Sequence, residues 1–308
     1  MKATRRLLWG AVLCLCPIFS GPVEATIIWG VTGSHVDNPI AQAEVFKVDT
    51  VSWTLTKLHT TAAGTNFSDI AVTPSGRVYA IGSDYNHVDG EYFKDFFQLD
   101  PEDGQVTNSW HGVNPRDQTI NGLTAESDTS LLAVEGGSSG QTTPHLIRIN
   151  LDAAGGYVDA DDLGEIDTTP GLSDGDIVRS PDGSYFIAAL GGGDDLYEIE
   201  PTDPSSASHM ITVLGLPQIA GLAYDFDAVV GSAPYNFGGA ASPALLAGVF
   251  QDGKKLYDVN TSTGAMTEVF DLTGHLDWNV FGLDSVPEPT TLVLLLLGAT
   301  LIGAKRRK

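Results

Sequence analysis

The chain has 308 residues, with 39 Asp and Glu against 16 Lys and Arg, a formal net charge of −23. The cations gather towards the ends, so residues 26–286 hold 9 Lys and Arg against 37 Asp and Glu, a charge of −28. A field of that sign repels phosphate backbones and anionic lipid heads; it excludes nucleic-acid recognition and suits a dispersed, secreted protein.

At the N-terminus, Lys2, Arg5 and Arg6 precede an apolar run over residues 7–19, and Val23-Glu24-Ala25 supplies the small-x-small pattern that a signal peptidase reads. As a helix the run rises only about 20 Å, short of a hydrocarbon core of about 30 Å, so it reads as a leader and not an anchor. Residues 1–25 are therefore a signal peptide cut after Ala25, with the Sec machinery and signal peptidase as partners. Both cysteines, Cys14 and Cys16, lie within it. The mature chain then has no thiol, and its fold must be held by core burial.

Residues 26–286 are rich in Gly, Ser, Thr, Asp and Asn, with short apolar runs and no long helical periodicity, an all-β composition. A five-residue pattern of two apolar residues, one polar, one apolar and an acid or amide recurs. Its copies are Val45-Phe46-Lys47-Val48-Asp49, Phe96-Phe97-Gln98-Leu99-Asp100, Leu146-Ile147-Arg148-Ile149-Asn150, Leu196-Tyr197-Glu198-Ile199-Glu200 and Leu256-Tyr257-Asp258-Val259-Asn260. A short strand precedes each copy, at 27–31, 77–81, 131–134, 185–189 and 245–250. An Asp-or-Gly, Ile-or-Leu pair also recurs once per unit, as Asp69-Ile70, Gly122-Leu123, Asp176-Ile177, Gly221-Leu222 and Gly282-Leu283. A Gly-bearing turn after each copy, such as 101–104 or 261–264, leads to a fourth strand.

The spacing of 50 to 60 residues with four strands per unit predicts one β-propeller of five four-stranded blades. The first unit begins with its second strand and the Gly282-Leu283 strand stands alone at the end, so the two termini complete one blade and close the ring. A β-sandwich is the alternative, and residues 226–242 form an insertion that could alter the count. The segments 69–76 and 176–183 resemble bacterial propellers of the kelch-like, NHL-like and lactonase-like group, a likeness of architecture that carries no activity.

Catalytic groups are scarce. There is no Gly-x-Ser-x-Gly, and the seven His residues stand singly, without metal-ligand spacing. The acidic stretch over residues 159–164 begins like a calcium loop but has Leu163 at its fifth position and Pro170 in place of the closing Glu, so it reads as a solvated turn. Gly-rich segments 136–140 and 191–195 open no helix and read as inter-strand loops, not phosphate cradles. The axial mouth of the ring is the best candidate site, where innermost strands would bring Asp69 and Asp176, with Asn121, together. The resemblance to lactonase-like propellers implies that a calcium ion would sit there and polarise a carbonyl; the other reading, which we prefer, makes these acids blade-to-blade hydrogen-bond acceptors. No further cofactor is expected. Trp29 and Trp53 fall on strand patterns and read as core, leaving Trp110 and Trp278, beside loops, as ligand candidates.

The chain closes with Val286, Pro287, Glu288 and Pro289, then 15 mostly apolar residues at 290–304, a marginal transmembrane helix, and the stop-transfer cations Lys305, Arg306, Arg307 and Lys308. These parts, in this order at the extreme terminus, resemble the PEP-CTERM sorting signal of Gram-negative bacteria that make extracellular polysaccharide, a tail also called the ice-binding-protein C-terminal motif. The resemblance implies an exosortase partner that recognises the Pro-Glu-Pro segment and removes the helix, and polysaccharide nearby. It implies transient residence in the inner membrane, body outside and C-terminus cytoplasmic, before the cell surface or extracellular space. The reading is an exported, non-catalytic binding or structural propeller over 26–286 with a sorting signal over 287–308; a calcium-dependent hydrolase or lactonase is the alternative.

Overall fold

A computed structural model describes residues 26–33, 42–86, 91–135, 143–166, 176–180, 183–189, 195–212, 219–225, 244–249 and 254–286. Residues 1–25, where the signal peptide is expected, the tail beyond Val286, the Gly-rich segments at 136–140 and 191–194 and residues 226–242 lie outside them.

Every described element is a strand, and the strands form five antiparallel four-stranded sheets. The first blade holds β1 (Ile27–Gly33), β2 (Glu44–Asp49) and β3 (Thr54–Thr60). The second is β4 (Thr65–Val72), β5 (Val78–Asn86), β6 (Glu91–Leu99) and β7 (Val106–His111). The third is β8 (Ile120–Ser127), β9 (Ser130–Glu135), β10 (His145–Leu151) and β11 (Tyr157–Glu165). The fourth is β12 (Ile177–Arg179), β13 (Tyr185–Ala189), β14 (Asp195–Glu200) and β15 (Asp203–Thr212). The fifth is β16 (Ile219–Asp225), β17 (Ala244–Val249), β18 (Lys255–Val259) and β19 (Met266–Asp271). The last strand, β20 (Asn279–Val286), returns to complete the first blade in the order β20-β1-β2-β3. The five-residue pattern thus marks the third strand of each blade, and the pairing of the two ends closes the ring.

The core explains the pattern. Buried apolar side chains fall into five clusters, each shared by two adjacent blades, the last joining the fifth to the first. Strands inside a blade have a neighbouring blade on both faces, so adjacent apolar residues such as Leu146 and Ile147, or Phe96 and Phe97, are both buried. The fourth strands form the rim and are largely exposed, as in β3, β7 and β19.

The acid or amide that ends the pattern shapes the next turn. Asp49 Oδ1 accepts the Val51 and Ser52 N–H groups at 3.0 and 2.7 Å, and Asn260 Oδ1 accepts those of Ser262 and Thr263 at 3.0 and 2.9 Å. Gly104 and Gly264 close their turns at φ of 74° and 71°, in the left-handed region where glycine costs least. In the third blade β10 runs on to Leu151, and Asp152 takes over the turn-forming role through Ala154 N–H and Gly156 N–H.

Two sequence readings need correction. Residues 159–164 are not a turn but lie in β11, where the Asn150 amide donates to Asp159 and Asp161 at 2.8 and 2.9 Å. A rim strand needs no apolar alternation, so its polarity imitates a loop. Trp53 is not on a strand; it sits in the β2–β3 turn at φ 50°, half-buried against Phe270 with centroids 5.6 Å apart.

Candidate functional site

The inner strands repeat one irregularity. Each of β4, β8, β16 and β20 carries an extra residue that breaks register with its partner strand: Ser68, Asn121, Ala220 and Phe281. A bulge re-aims the residues just after it, and in each of these strands those residues are the Asp-or-Gly, Ile-or-Leu pair. Round the ring the first position of the pair reads Gly282, Asp69, Gly122, Asp176, Gly221, so each acid stands between two glycines. Space explains the first of these glycines, because a Cβ on Gly282 would collide with the Asp69 carboxylate and backbone. Asn121 is a bulge residue and does not occupy the motif position filled by the two acids.

Both acids are fully buried and both reach into the next blade. Asp69 accepts the Ile70 N–H at 2.7 Å with one oxygen and the Leu123 N–H of the third blade with the other. Asp176 accepts the Ile177 N–H at 2.6 Å and the Leu222 N–H of the fifth blade in the same way. Asp284, in β20, accepts the Ser285 N–H and, at 2.7 Å, the Val72 N–H of the second blade. An aspartate is the right side chain here because each of its oxygens must face an N–H; an amide would turn a donor towards one of them.

Asp69 and Asp176 also act on each other's charge, so the structure brings this sequence-predicted pair together across the ring. Burial, then the Asp176 charge, pushes Asp69 well above the usual carboxylate range. Burial pushes Asp176 up to about 7 and raises Asp284 too, with the Asp176 charge adding to the latter. Two carboxyls in contact, each already held by backbone donors, fit a shared proton. Among the described residues no group of three or more His, Cys, Asp or Glu is placed to hold a metal ion.

At the end of the ring where β20 begins and β9 ends, two buried glutamates pin loops. Glu135 accepts Asn114 Nδ2 at 2.9 Å and Arg116 Nε at 3.0 Å, fixing the loop between β7 and β8. Arg116 Nη1 lies 2.7 Å from His145 Nε2, and His145 Nδ1 lies 2.8 Å from Asp162. Since a guanidinium only donates, the His145 proton belongs on Nδ1, facing Asp162. Burial works against the Asp162 charge, but the His145 contact and the Gly164 N–H hold its carboxyl below the usual range. Glu44 likewise accepts Lys57 Nζ and the Asp277 N–H, both at 2.8 Å, and so fixes the loop before β20. Sequence reading treated His145 as solitary, and its partners, spread over residues 116–162, leave no local motif.

The two tryptophan candidates are not brought together. Trp110 is in β7 on the rim of the second blade, half-buried against Phe96 and Tyr157 at 5.3 and 6.4 Å; Trp278, also half-buried, lies between β19 and β20. Trp29 is buried in β1 with Lys47 Nζ 4.1 Å from its ring centroid. A separate cleft of about 290 Å³ runs between the third and fourth blades, where Glu126, held by a two-pronged contact to Arg148, faces Tyr185, Glu198 and Ser208.

Residues 285–308 match the PEP-CTERM protein-sorting motif. The C-terminus is a PEP-CTERM sorting signal. It marks an exported protein that is processed at the membrane by an exosortase. The match starts inside β20, at Ser285, whereas Ala25, Pro287, Glu288, Pro289 and residues 305–308 lie outside the described residues. No curated protein sequence matches the chain. Among solved structures, similarity extends to a protein of unknown function from Bacteroides caccae (11% identity, TM-score 0.46, 86% of this chain and 100% of that one). A second, from Bacteroides thetaiotaomicron, is also of unknown function (14% identity, TM-score 0.49, 85% and 64%). A Xanthomonas campestris gluconolactonase matches at 13% identity and TM-score 0.41, over 84% and 79%. At these values no activity passes from the neighbours to this chain.

Proposed function

We propose that the protein, once sorted by its PEP-CTERM signal, acts at the cell surface or in the surrounding polysaccharide as a non-catalytic binding or structural propeller. The observation that carries this reading is the use of the axial acids: Asp69, Asp176 and Asp284 each accept backbone N–H groups and tie one blade to the next. A hydrolase acting at the axial mouth would need such oxygens for a metal or a substrate. The loops that Glu44 and Glu135 hold in place provide a fixed surface for a ligand, with Trp110 and Trp278 towards the same end of the ring.

In this reading the basic residues 305–308 stay cytoplasmic while the body faces outward, and Pro287 and Pro289 keep the recognised segment extended for the protease. Released protein from an exosortase-positive host should begin at Thr26 and lack Lys308 by mass spectrometry. An intact Lys308 on the released species overturns the sorting step. The released propeller is then screened against a glycan panel and a panel of small esters and lactones, with calcium and with chelator. Glycan binding without turnover is the expected result, and calcium-dependent turnover overturns it in favour of the hydrolase.

A further inference from the structure

The register of the closing blade places both ends of the domain at one point. Ile27 pairs with Val286 and Ile28 with Ser285, while Ile27 also faces Asp49. The first and last described residues of the sheet therefore emerge together, beside the β2–β3 turn. The other end of the same blade carries Gly33, Asn279 and Glu44.

β20 is fixed up to this exit. The Ser285 hydroxyl donates to the Tyr224 carbonyl at 2.6 Å and accepts the Tyr224 N–H at 3.1 Å, so the strand is held by the fifth blade as well as by β1. The Asp284 bond to Val72 N–H adds a hold from the second blade. Fraying of β20 would break all three, so it does not lengthen the tether. Only Pro287, Glu288 and Pro289 separate Val286 from the apolar run at residue 290. Fully extended, that link reaches about 10 to 14 Å, while the headgroup layer is itself about 5 to 8 Å thick. β20 spans eight residues, about 27 Å of strand, so the opposite end of the ring stands well clear of the bilayer.

We propose that, before its tail is removed, the propeller is held with its exit face against the membrane and the exosortase, and with the end carrying the Glu44 and Glu135 loops pointing away. The short tether keeps the exit face at the bilayer surface although the charge of residues 26–286 repels anionic lipid heads, and the outward face is the one left for ligands. This rests on the sorting reading above.

Because Cys14 and Cys16 leave with the leader, single cysteines report orientation without background. Val51, 56% exposed in the β2–β3 turn, and the exposed Ala62 just beyond β3 lie at opposite ends of one rim strand. Full-length Val51→Cys and Ala62→Cys proteins, retained in the inner membrane of an exosortase-negative host, are treated in spheroplasts, with the outer membrane opened, with a maleimide carrying a polyethylene glycol chain. The Ala62→Cys protein should label at once. Labelling of Val51→Cys should be lost and return in detergent, or when a Gly-Ser spacer of about 20 residues, reaching about 25 Å, is inserted before Pro287. Equal labelling of both cysteines on retained protein overturns the orientation and spares the sorting reading. Full-length protein recovered in the soluble fraction overturns the sorting reading and the orientation with it.

Discussion

Acids at the axis and acids at the rim of this propeller have the same side chain and opposite physics. Asp69, Asp176 and Asp284 are buried, raised in pKa and bonded to backbone N–H groups across blade boundaries. Asp159 and Asp161, on the rim strand β11, are exposed and share one amide from Asn150. An acid at the axis does the work of a strand-to-strand contact that the ring could not otherwise make. One at the rim keeps the surface charged and the sheet edge unsuited to pairing with another chain. The strong net charge therefore says little about where acidity matters to the fold.

The largest effect expected from breaking this contrast is at the axis. Asp69→Ala leaves the Ile70 and Leu123 N–H groups buried without acceptors, and each orphaned group costs about 1–3 kcal/mol. A loss of about 3 kcal/mol or more is expected, read as a fall in the urea midpoint. A variant within about 0.5 kcal/mol of the parent, the range of ordinary surface substitutions, would show that the blades do not depend on this carboxylate.

Next comes pH. The axial acids titrate at about 3.9 when unfolded and higher when folded, so the stability they bring is fully present below about pH 4 and is lost as pH rises through the folded values, about 7 for Asp176. Rim acids such as Asp162 are lowered in the fold, so their contribution is present above about pH 4 and is lost as pH falls below it. The two sets oppose each other, which places greatest stability in mild acid. From pH 5 to pH 7 each proton kept only by the folded state removes about 1.4 kcal/mol per unit. Thermal midpoints that rise steadily from pH 5 to pH 8 contradict raised axial acids. Asp176→Asn should reduce this slope even though it weakens the ring, because it removes one raised carboxyl and a charge that helps raise Asp69, while burial still holds Asp69 and Asp284 up.

Gly282→Ala tests the glycine beside Asp69. Its methyl group enters the space of the Asp69 carboxyl, and overpacking of this kind costs about 1–3 kcal/mol. In an Asp69→Ala background only the carboxylate part of the collision is relieved, because the Asp69 Cα and the Ile70 N–H stay in place, so the double variant should be only somewhat less destabilised than the two single losses combined. Strict additivity would mean that the backbone of Asp69 and Ile70, and not the carboxylate, sets the glycine.

Much of this was legible in the sequence, for identifiable reasons. The third strands advertise themselves because burial on both faces demands adjacent apolar residues, and the spacing of those pairs gave the blade count and the ring closure. Proline, acid, apolar run and basic end made the tail readable as one linear signal. The rim was less legible: β11 has no buried face to impose a period, so its acids imitate a turn. Contacts across the ring were legible only as a possibility. Asp69 and Asp176 announce themselves as repeated residues, but that they meet, and that a glycine must stand beside Asp69, depends on how five sheets crowd round an axis. The network of Arg116, Glu135, His145 and Asp162 had no local signal, because its members come from one loop and the ends or middle of three strands.

The smallest expected effect lies at the rim and completes the comparison. Asp159→Ala removes one exposed acceptor, and the Asn150 amide keeps its second partner, Asp161. Water replaces the lost contact, since both groups face solvent, and β11 keeps its backbone pairing with β10. The change in stability read from the urea midpoint should be less than about 0.5 kcal/mol. If this substitution cost as much as Asp69→Ala, burial would not be what separates the two kinds of acid, and the ring would have to be held by its outer charges as much as by its axis.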